Sequence, residues 1–115
     1  MLSYHNLEVY KKIYTLNGKV YSFLKHNNQL PVFMKNQLSR ATISIMLNIA
    51  EGCGRPTSRD RRNFYVIARS SAFECSSIIE FLHSQEEISL HNKEEWLAGY
   101  EEISKMLYAM IRRLE

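Results

Sequence analysis

Two neighbouring segments of the chain carry polar and charged side chains at helical spacing. The first set recurs at steps of four, four and three residues and consists of Arg40, Ser44, Asn48 and Glu51. A helix places side chains at this spacing on one stripe. The second set consists of Arg59, Arg62, Arg69 and Glu74. If the chain reverses near Arg55, we expect Arg40 to lie near Glu74. We then expect Glu51 near Arg59 or Arg62, so that opposite charges meet at both ends of the hairpin.

Glu51 and Glu74 are the candidates for paired-carboxylate catalysis in this hairpin. We expect them at opposite ends of it, about three turns of roughly 5.4 Å apart, whereas this chemistry needs carboxylates about 5–10 Å apart. We therefore interpret five residues as a structural polar network that fixes the register of the hairpin. They are Arg40, Ser44, Asn48, Glu51 and Glu74.

Other catalytic or metal chemistry has little support. The four histidines, at positions 5, 26, 83 and 91, fall near segment ends without metal-ligand spacing. Cys53 and Cys75 have no such spacing either, and we interpret them as reduced packing or turn residues. The run Gly52-Cys53-Gly54 follows a helical pattern, which is typical of a helix end and not of a phosphate loop. The sequence thus predicts no catalytic residue, metal or cofactor, and a protein that is not an enzyme.

Charge is distributed unevenly along the chain, although the net charge is only +3. Residues 55–69 carry five arginines against Asp60, whereas residues 70–100 carry Lys93 against six glutamates. This polarity is expected if one end or face meets an anionic partner; the alternative is a solvated helix surface. The candidate nucleic-acid surface consists of Arg55, Arg59, Arg62 and Arg69, supported by Lys11, Lys12 and Lys19. We interpret Tyr65, beside the arginines, as a packing residue and not as one that stacks on a base.

Four apolar patterns with helical period must position these side chains. The first runs from Leu7 to Leu24, and the second from about Met34 to Glu51. The third has Thr57 or Ser58 as its cap, and the fourth has Asn92. The predicted buried stripe of the third consists of Phe64, Ile67, Ala68, Ser71, Cys75, Ile78 and Leu82. That of the fourth consists of Trp96, Tyr100, Ile103, Leu107, Met110 and Leu114.

The second helix is apolar around most of its circumference, as Ile43, Met46 and Leu47 show. Such a helix must be buried on more than one side, and we expect another subunit on the side away from the core. The alternative is a central helix shielded by its own neighbours. Gly52 and Gly54 are expected to stop this helix before the reversal. The short connections predict a single all-α domain over residues 1–115, an antiparallel up-down-up-down four-helix bundle.

The sequence carries no signal for a membrane or for export. No apolar run approaches the roughly 20 residues that a membrane span needs. Residues 1–6 have neither the basic start nor the apolar stretch of a signal peptide. We expect a cytoplasmic protein that does not bind membranes.

Three blocks of the sequence resemble the 23S rRNA intervening-sequence protein family, whose members are also called four-helix-bundle proteins. The first is Leu7-Glu8-Val9-Tyr10, with Tyr10 where Trp is common in the family. The second block covers Gln37-Leu38-Ser39-Arg40-Ala41, Ser44-Ile45-Met46-Leu47-Asn48-Ile49-Ala50-Glu51-Gly52 and Gly54-Arg55. The third includes Phe64, Ala68-Arg69, Ser71 and Glu74. The resemblance covers nearly the whole chain.

This resemblance implies an antiparallel four-helix bundle that assembles as a ring-like homopentamer. A related branch comprises the accessory variability proteins of diversity-generating retroelements, which are basic pentamers that bind nucleic acid and a reverse transcriptase. The chain is similar to them in architecture, but it is less basic.

Two functions follow as hypotheses. In the first, a non-enzymatic homo-oligomer binds structured RNA or DNA through phosphate contacts of the arginine surface, and repetition around a ring multiplies a weak patch. In the second, the bundle is a protein–protein scaffold or accessory factor, for example for a reverse transcriptase, without direct nucleic-acid binding.

Overall fold

A computed structural model describes residues 2–115, so residue 1 of the predicted domain lies outside the described residues. These residues form a short 3-10 helix and four α-helices, with no strand among them. The all-α prediction is confirmed. The 3-10 helix spans Ser3–Asn6, and the four long helices are α1 (Glu8–Lys25), α2 (Val32–Cys53), α3 (Ser58–Ser84) and α4 (Leu90–Arg113).

The starts of α3 and α4 are set by side-chain caps. The Thr57 hydroxyl accepts a hydrogen bond from the Asp60 backbone N–H at 3.1 Å, which confirms one of the two predicted caps of α3. The Ser89 hydroxyl does the same for the N–H of Asn92 at 3.1 Å. The prediction of Asn92 as the cap of α4 was therefore wrong, because Asn92 lies in the first turn and is the donor.

The turn between α3 and α4 holds the one non-glycine residue with a positive φ among the described residues, Glu86 at 63°. Its N–H donates to the carbonyl of His83 at 2.9 Å, and the next N–H, that of Glu87, donates to the carbonyl of Leu82 at 2.8 Å. This pair of bonds is the Schellman motif, which satisfies the last carbonyls of a helix. The chain then leads directly to Ile88, which is buried.

The helices pack side by side, with α1 and α3 each contacting both α2 and α4. These contacts are consistent with a four-helix bundle. In α4 the predicted stripe is confirmed for Trp96, Tyr100, Ile103 and Leu107, all of which are buried. In α3 the buried stripe runs through Tyr65 and Ile79 instead of the neighbouring Phe64 and Ile78, which are partly buried. The prediction of Ile67 was wrong, since its side chain is 47% exposed. Apart from Ser71, the buried residues of α3 follow alternating steps of three and four, which keeps them on the stripe that faces the core.

A buried polar group on α1 connects three of the helices. The side-chain amide of Asn17 donates to the carbonyl of Thr42 on α2 at 2.7 Å. The Asn17 carbonyl oxygen accepts from the Tyr100 hydroxyl on α4 at 3.3 Å. Burial raises the pKa of Tyr100, and the neighbouring Cys75 thiol of α3 raises it further. Burial also raises the pKa of Cys75. All four helices thus contribute groups to one region of the core.

The buried Cys75 makes stability sensitive to alkaline pH. Because its folded pKa is raised, the folded chain keeps the thiol proton while the unfolded chain releases it above the ordinary value of 9.0. The free energy of unfolding should therefore fall as pH rises through that value, by up to about 1.4 kcal/mol per pH unit for this group. In urea denaturation between pH 8 and 10, Cys75→Ala should give a shallower fall than the parent.

Leu107→Ala is the control for this measurement. It removes a fully buried side chain and should cost roughly 2–5 kcal/mol, but it leaves Cys75 in place. Its pH slope should match that of the parent. Equal slopes for Cys75→Ala and the parent would show that the thiol does not contribute.

Candidate functional site

The described chain brings most of the predicted arginines to one end of the fold. The Ser3 hydroxyl lies 3.5 Å from the Cys53 sulfur, so the segment before α1 meets the end of α2. Arg62, in the first turns of α3, donates to the carbonyl of Leu114 at 3.0 Å, so the start of α3 meets the end of α4. We call this region the basic end, and its arginines are Arg55, Arg59, Arg61, Arg62, Arg112 and Arg113.

The arginines of the basic end differ in how far their charge is already paired. Arg55 forms an ion pair with Glu51 at 3.0 Å, and its guanidinium lies 4.7 Å from the centre of the Phe64 ring. Arg61 and Arg62 donate to backbone carbonyls, which leaves their positive charge without a carboxylate partner. Arg59 and Arg113 are exposed and form no ion pair or side-chain hydrogen bond with another residue of the range 2–115.

Three of these arginines were missed by the sequence analysis as site residues: Arg61, Arg112 and Arg113. The signal for Arg61 was present in the run of arginines at the start of α3. Arg112 and Arg113 lie about 50 residues further along the chain, and only the packing of α4 against α3 reveals that they belong to the same end.

Arg69 lies apart from the basic end, seven residues beyond Arg62 on α3 and hence about 10 Å further along its axis. Its side chain donates to the carbonyl of Ser104 on α4 at 3.2 Å. Its guanidinium lies 5.0 Å from the ring centre of Phe73 and 5.2 Å from that of Tyr108. Arg69 is thus held in the groove between α3 and α4.

The three lysines proposed to support the surface each have a carboxylate partner. Lys11 pairs with Glu8 at 3.3 Å on its own helix. The other two reach from α1 to α4, where Lys12 pairs with Glu102 at 3.1 Å and Lys19 pairs with Glu95 at 2.7 Å. The hydrogen bond from Lys19 lowers the pKa of Glu95. Lys12 and Lys19 therefore lie in the groove between α1 and α4 and do not join the arginines of α3.

The predicted pairing across the hairpin of α2 and α3 was wrong in its partners. Glu51 pairs with Arg55, four residues later, because the chain continues helically far enough to bring them together. Glu74 accepts a hydrogen bond from Gln37 at 2.7 Å, one turn before Arg40. No hydrogen bond or ion pair joins Arg40 to another residue of the described chain.

The centre of the predicted polar stripe does form hydrogen bonds between the two helices. The Ser44 hydroxyl lies 2.8 Å from that of Ser71 on α3. Asn48 donates to the Ser44 carbonyl at 2.8 Å and approaches its hydroxyl at 3.1 Å. Arg40, Glu51 and Glu74 take no part in these bonds.

Gly52 allows α2 and α3 to approach closely at the basic end. A Cβ atom added there would lie 2.7 Å from a ring carbon of Tyr65 and 3.0 Å from the Cβ of Phe64. Gly52 does not stop α2, which continues to Cys53 before Gly54 caps it. Of the two glycines predicted to stop α2, Gly54 is confirmed, whereas the prediction for Gly52 was wrong. Tyr65 is only 5% exposed, so packing and not base stacking is its role.

An aromatic cluster next to the basic end was also missed. We use this name for Tyr4, His5, Tyr10 and Tyr14, whose successive ring centres lie 4.3–6.2 Å apart. Tyr10 is partly buried, which raises its pKa, and the neighbouring Tyr4 and Tyr14 add to this effect. Tyr14 is 63% exposed. The signal in the sequence was the four-residue spacing of Tyr10 and Tyr14, but the 3-10 helix that adds Tyr4 and His5 was not predicted.

Tyr4 of the aromatic cluster and Arg55 of the basic end both line an open cavity of about 780 Å³. Glu51, the carboxylate partner of Arg55, lines the same cavity. Leu47, on the outward side of α2, is a further lining residue and is 55% exposed. Ile43, one turn earlier, is 41% exposed, and Ile67 of α3 is 47% exposed.

Within residues 2–115, no group of three or more His, Cys, Asp or Glu side chains is arranged to hold a metal ion. None of the helices in that range combines the length and the apolar character needed to cross a membrane.

The fold and site define an all-α, four-helix protein with arginines concentrated at one end. The model of the 23S rRNA-intervening sequence protein family matches residues 5–109, and the chain belongs to this family. The chain is also similar to a solved structure from Bacteroides thetaiotaomicron, a protein of unknown function from the S23 ribosomal protein family. The two are 28% identical with a TM-score of 0.82, over 90% of this chain and 97% of the other. None of the curated proteins compared with the chain matches it.

The close approach at Gly52 predicts a large cost for a single added methyl group. Gly52→Ala should lower the free energy of unfolding by about 1–3 kcal/mol, because Tyr65 is buried and must move. Gly18→Ala is the matched control in α1, since its Cβ would meet nothing within 4 Å. There the better helix propensity of Ala should raise stability by up to about 1 kcal/mol. Urea denaturation distinguishes the two, and equal effects would contradict the packing role of Gly52.

Proposed function

We propose that the protein is a non-enzymatic homo-oligomer of the cytoplasm that binds structured RNA or DNA through its basic end. The observation that carries this proposal is the meeting of unpaired arginine charge from two helices, Arg59, Arg61 and Arg62 from α3 and Arg113 from α4. Arginine suits phosphate groups because its planar fork donates two hydrogen bonds at once.

The start of α3 strengthens this attraction for phosphate. Its first backbone N–H groups and the helix dipole present positive potential at the same place as the arginines. Asp60 and the partner of Arg55, Glu51, reduce the net charge, so the arginines that lack carboxylate partners contribute most.

The three lysines and Arg69 contribute less to the proposed binding than the arginines of the basic end. Lys11, Lys12 and Lys19 already pair with carboxylates that a phosphate would have to replace. Because these pairs are largely exposed, they are weak and can exchange partners. Arg69 is engaged with Ser104 and two aromatic rings, away from the basic end.

The contacts between helices support an antiparallel up-down-up-down arrangement. On α2, residues 37, 44 and 52 meet residues 74, 71 and 65 of α3, so the order reverses from one helix to the other. In the same way, Lys12 and Lys19 of α1 meet Glu102 and Glu95 of α4.

Self-assembly is supported by the outward side of α2. Ile43 and Leu47 are exposed there, with Ile67 of α3 also exposed. A contact between this surface and a different surface of the next copy would close a ring if the rotation allows it. Family resemblance favours five copies, and repetition of the basic end around such a ring would strengthen binding.

Binding through the basic end predicts a steep dependence on salt. Fluorescence anisotropy of a labelled RNA hairpin should show binding at 50 mM salt that weakens at 200 mM by roughly 40-fold if three phosphates are contacted. Arg59→Glu with Arg113→Glu should abolish binding, because both side chains lack a carboxylate partner.

The control variant makes the same change in net charge at positions outside the basic end. Lys25→Glu with Lys105→Glu alters two exposed lysines outside the basic end and should keep most of the binding. Circular dichroism verifies that both double variants are folded. Flat anisotropy for the parent at both salt concentrations would refute nucleic-acid binding by the isolated protein. The exposed apolar side of α2 would then favour the alternative, a scaffold or accessory factor for another protein such as a reverse transcriptase.

Assembly through α2 predicts that one charge on its outward side breaks the oligomer. Light scattering after gel filtration should give the parent a mass several times the 13.6 kDa of one chain. Ile43→Glu should reduce it to the mass of one chain, because burying an unpaired carboxylate is costly. Leu90→Glu, at an exposed position on α4, should leave the oligomer intact. A monomeric parent would overturn the assembly proposal.

A further inference from the structure

We infer that the aromatic cluster stacks on unpaired bases of the nucleic-acid strand whose phosphates the basic end holds. This inference rests on the proposed function and deepens it, since it names the part of the nucleic acid that is recognised. The observation behind it is that Tyr4 and Arg55 line the same open cavity of about 780 Å³.

The cavity brings a guanidinium group and an aromatic ring to one open space. Glu51 and the Phe64 ring hold the Arg55 guanidinium in place. Arg59 and Arg61 follow within two turns of the chain. A strand entering from the arginines would thus reach Tyr4 without crossing an intervening helix.

The rings of the cluster suit bases better than a closed aromatic core would. Neighbouring planes are tilted by 34–78° and do not form a continuous stack. Tyr14 at one edge is mostly exposed, so it can accept a base against its ring. His5 is held by a contact of 3.0 Å from its Nδ1 to the carbonyl of Leu2. Base stacking on such rings tolerates any sequence because every base has a π-face.

Unpaired bases, not a duplex, are the expected ligand. The bases of a duplex are already stacked on one another, whereas loops and single strands can place theirs on aromatic side chains. The charge beside the cluster favours this occupant over an apolar surface of a second copy. The positive charge comes from Arg59 and Arg61, which have no carboxylate partner in the described chain, because Lys11 and Lys12 of α1 are paired with Glu8 and Glu102.

The test compares a labelled 12-nucleotide single-stranded RNA with a blunt-ended duplex of the same sequence at 50 mM salt, by anisotropy. A single-stranded DNA of that sequence forms a third arm. The parent should bind both single strands more tightly than the duplex. Tyr4→Ala with Tyr14→Ala should weaken single-strand binding by roughly 5- to 150-fold, the usual range for loss of one stacked base, and should leave duplex binding unchanged.

Two control variants test whether the loss of single-strand binding comes from the loss of the aromatic rings. Tyr4→Phe with Tyr14→Phe keeps the rings and should retain the binding of the parent. Phe33→Ala removes an exposed ring at the start of α2, away from the basic end, and should have no effect. Binding that depends on salt and on Arg59 but not on the tyrosines would overturn the stacking inference and leave the proposed function standing.

Two other results of the binding test would also overturn the stacking inference. If the parent binds none of the three nucleic acids, both the stacking inference and the proposed function fail. If the double alanine variant loses the oligomer in light scattering and binds single strand and duplex equally weakly, the cluster is an interface between copies of the chain. That result would also overturn the stacking inference.

Discussion

The close approach of α2 to α3 at Gly52 is the constraint on which the basic end depends. With no side chain at that position, the Tyr65 ring packs directly against the last turn of α2. The chain can then leave α2, pass through Arg55 and begin α3 at Ser58 within a few residues. Arg55 stays within reach of both Glu51 and Phe64 for the same reason. A wider separation of the two helices would move Arg55 away from the Phe64 ring.

Much of the fold could be predicted from periodicity because burial on one stripe is a local property of each helix. Trp96, Tyr100, Ile103 and Leu107 illustrate this, since each is buried as the spacing indicated. The buried residues of α3 were predicted less accurately because apolar residues lie on both sides of the stripe. Whether Phe64 or Tyr65 is buried depends on the position of Gly52. The role of Asn17 could not be predicted at all, because its partners lie 25 and 83 residues away.

The candidate site was predicted in part. Arg55, Arg59 and Arg62 lie close together in the sequence, and local geometry brings them to one end. The lysines of α1 have the same charge, but their partners on α4 are distant in sequence, and the neutralising contacts become visible only in the packed structure. Arg113 and Tyr4 were missed for the same reason, since each reaches the basic end through tertiary contacts.

Charge is separated along the 44 Å long axis of the molecule. At the end opposite the arginines, the ring centres of Phe23 and Trp96 lie 5.3 Å apart. The turn between α3 and α4 at this end carries Glu86 and Glu87. The molecule therefore has a permanent electric dipole moment in addition to its net charge. A polyanion at a distance exerts a torque on such a body and turns the arginines toward itself before any contact forms. This alignment raises the share of diffusional encounters that begin at the basic end, and it fades once added salt reduces the screening length below about 10 Å.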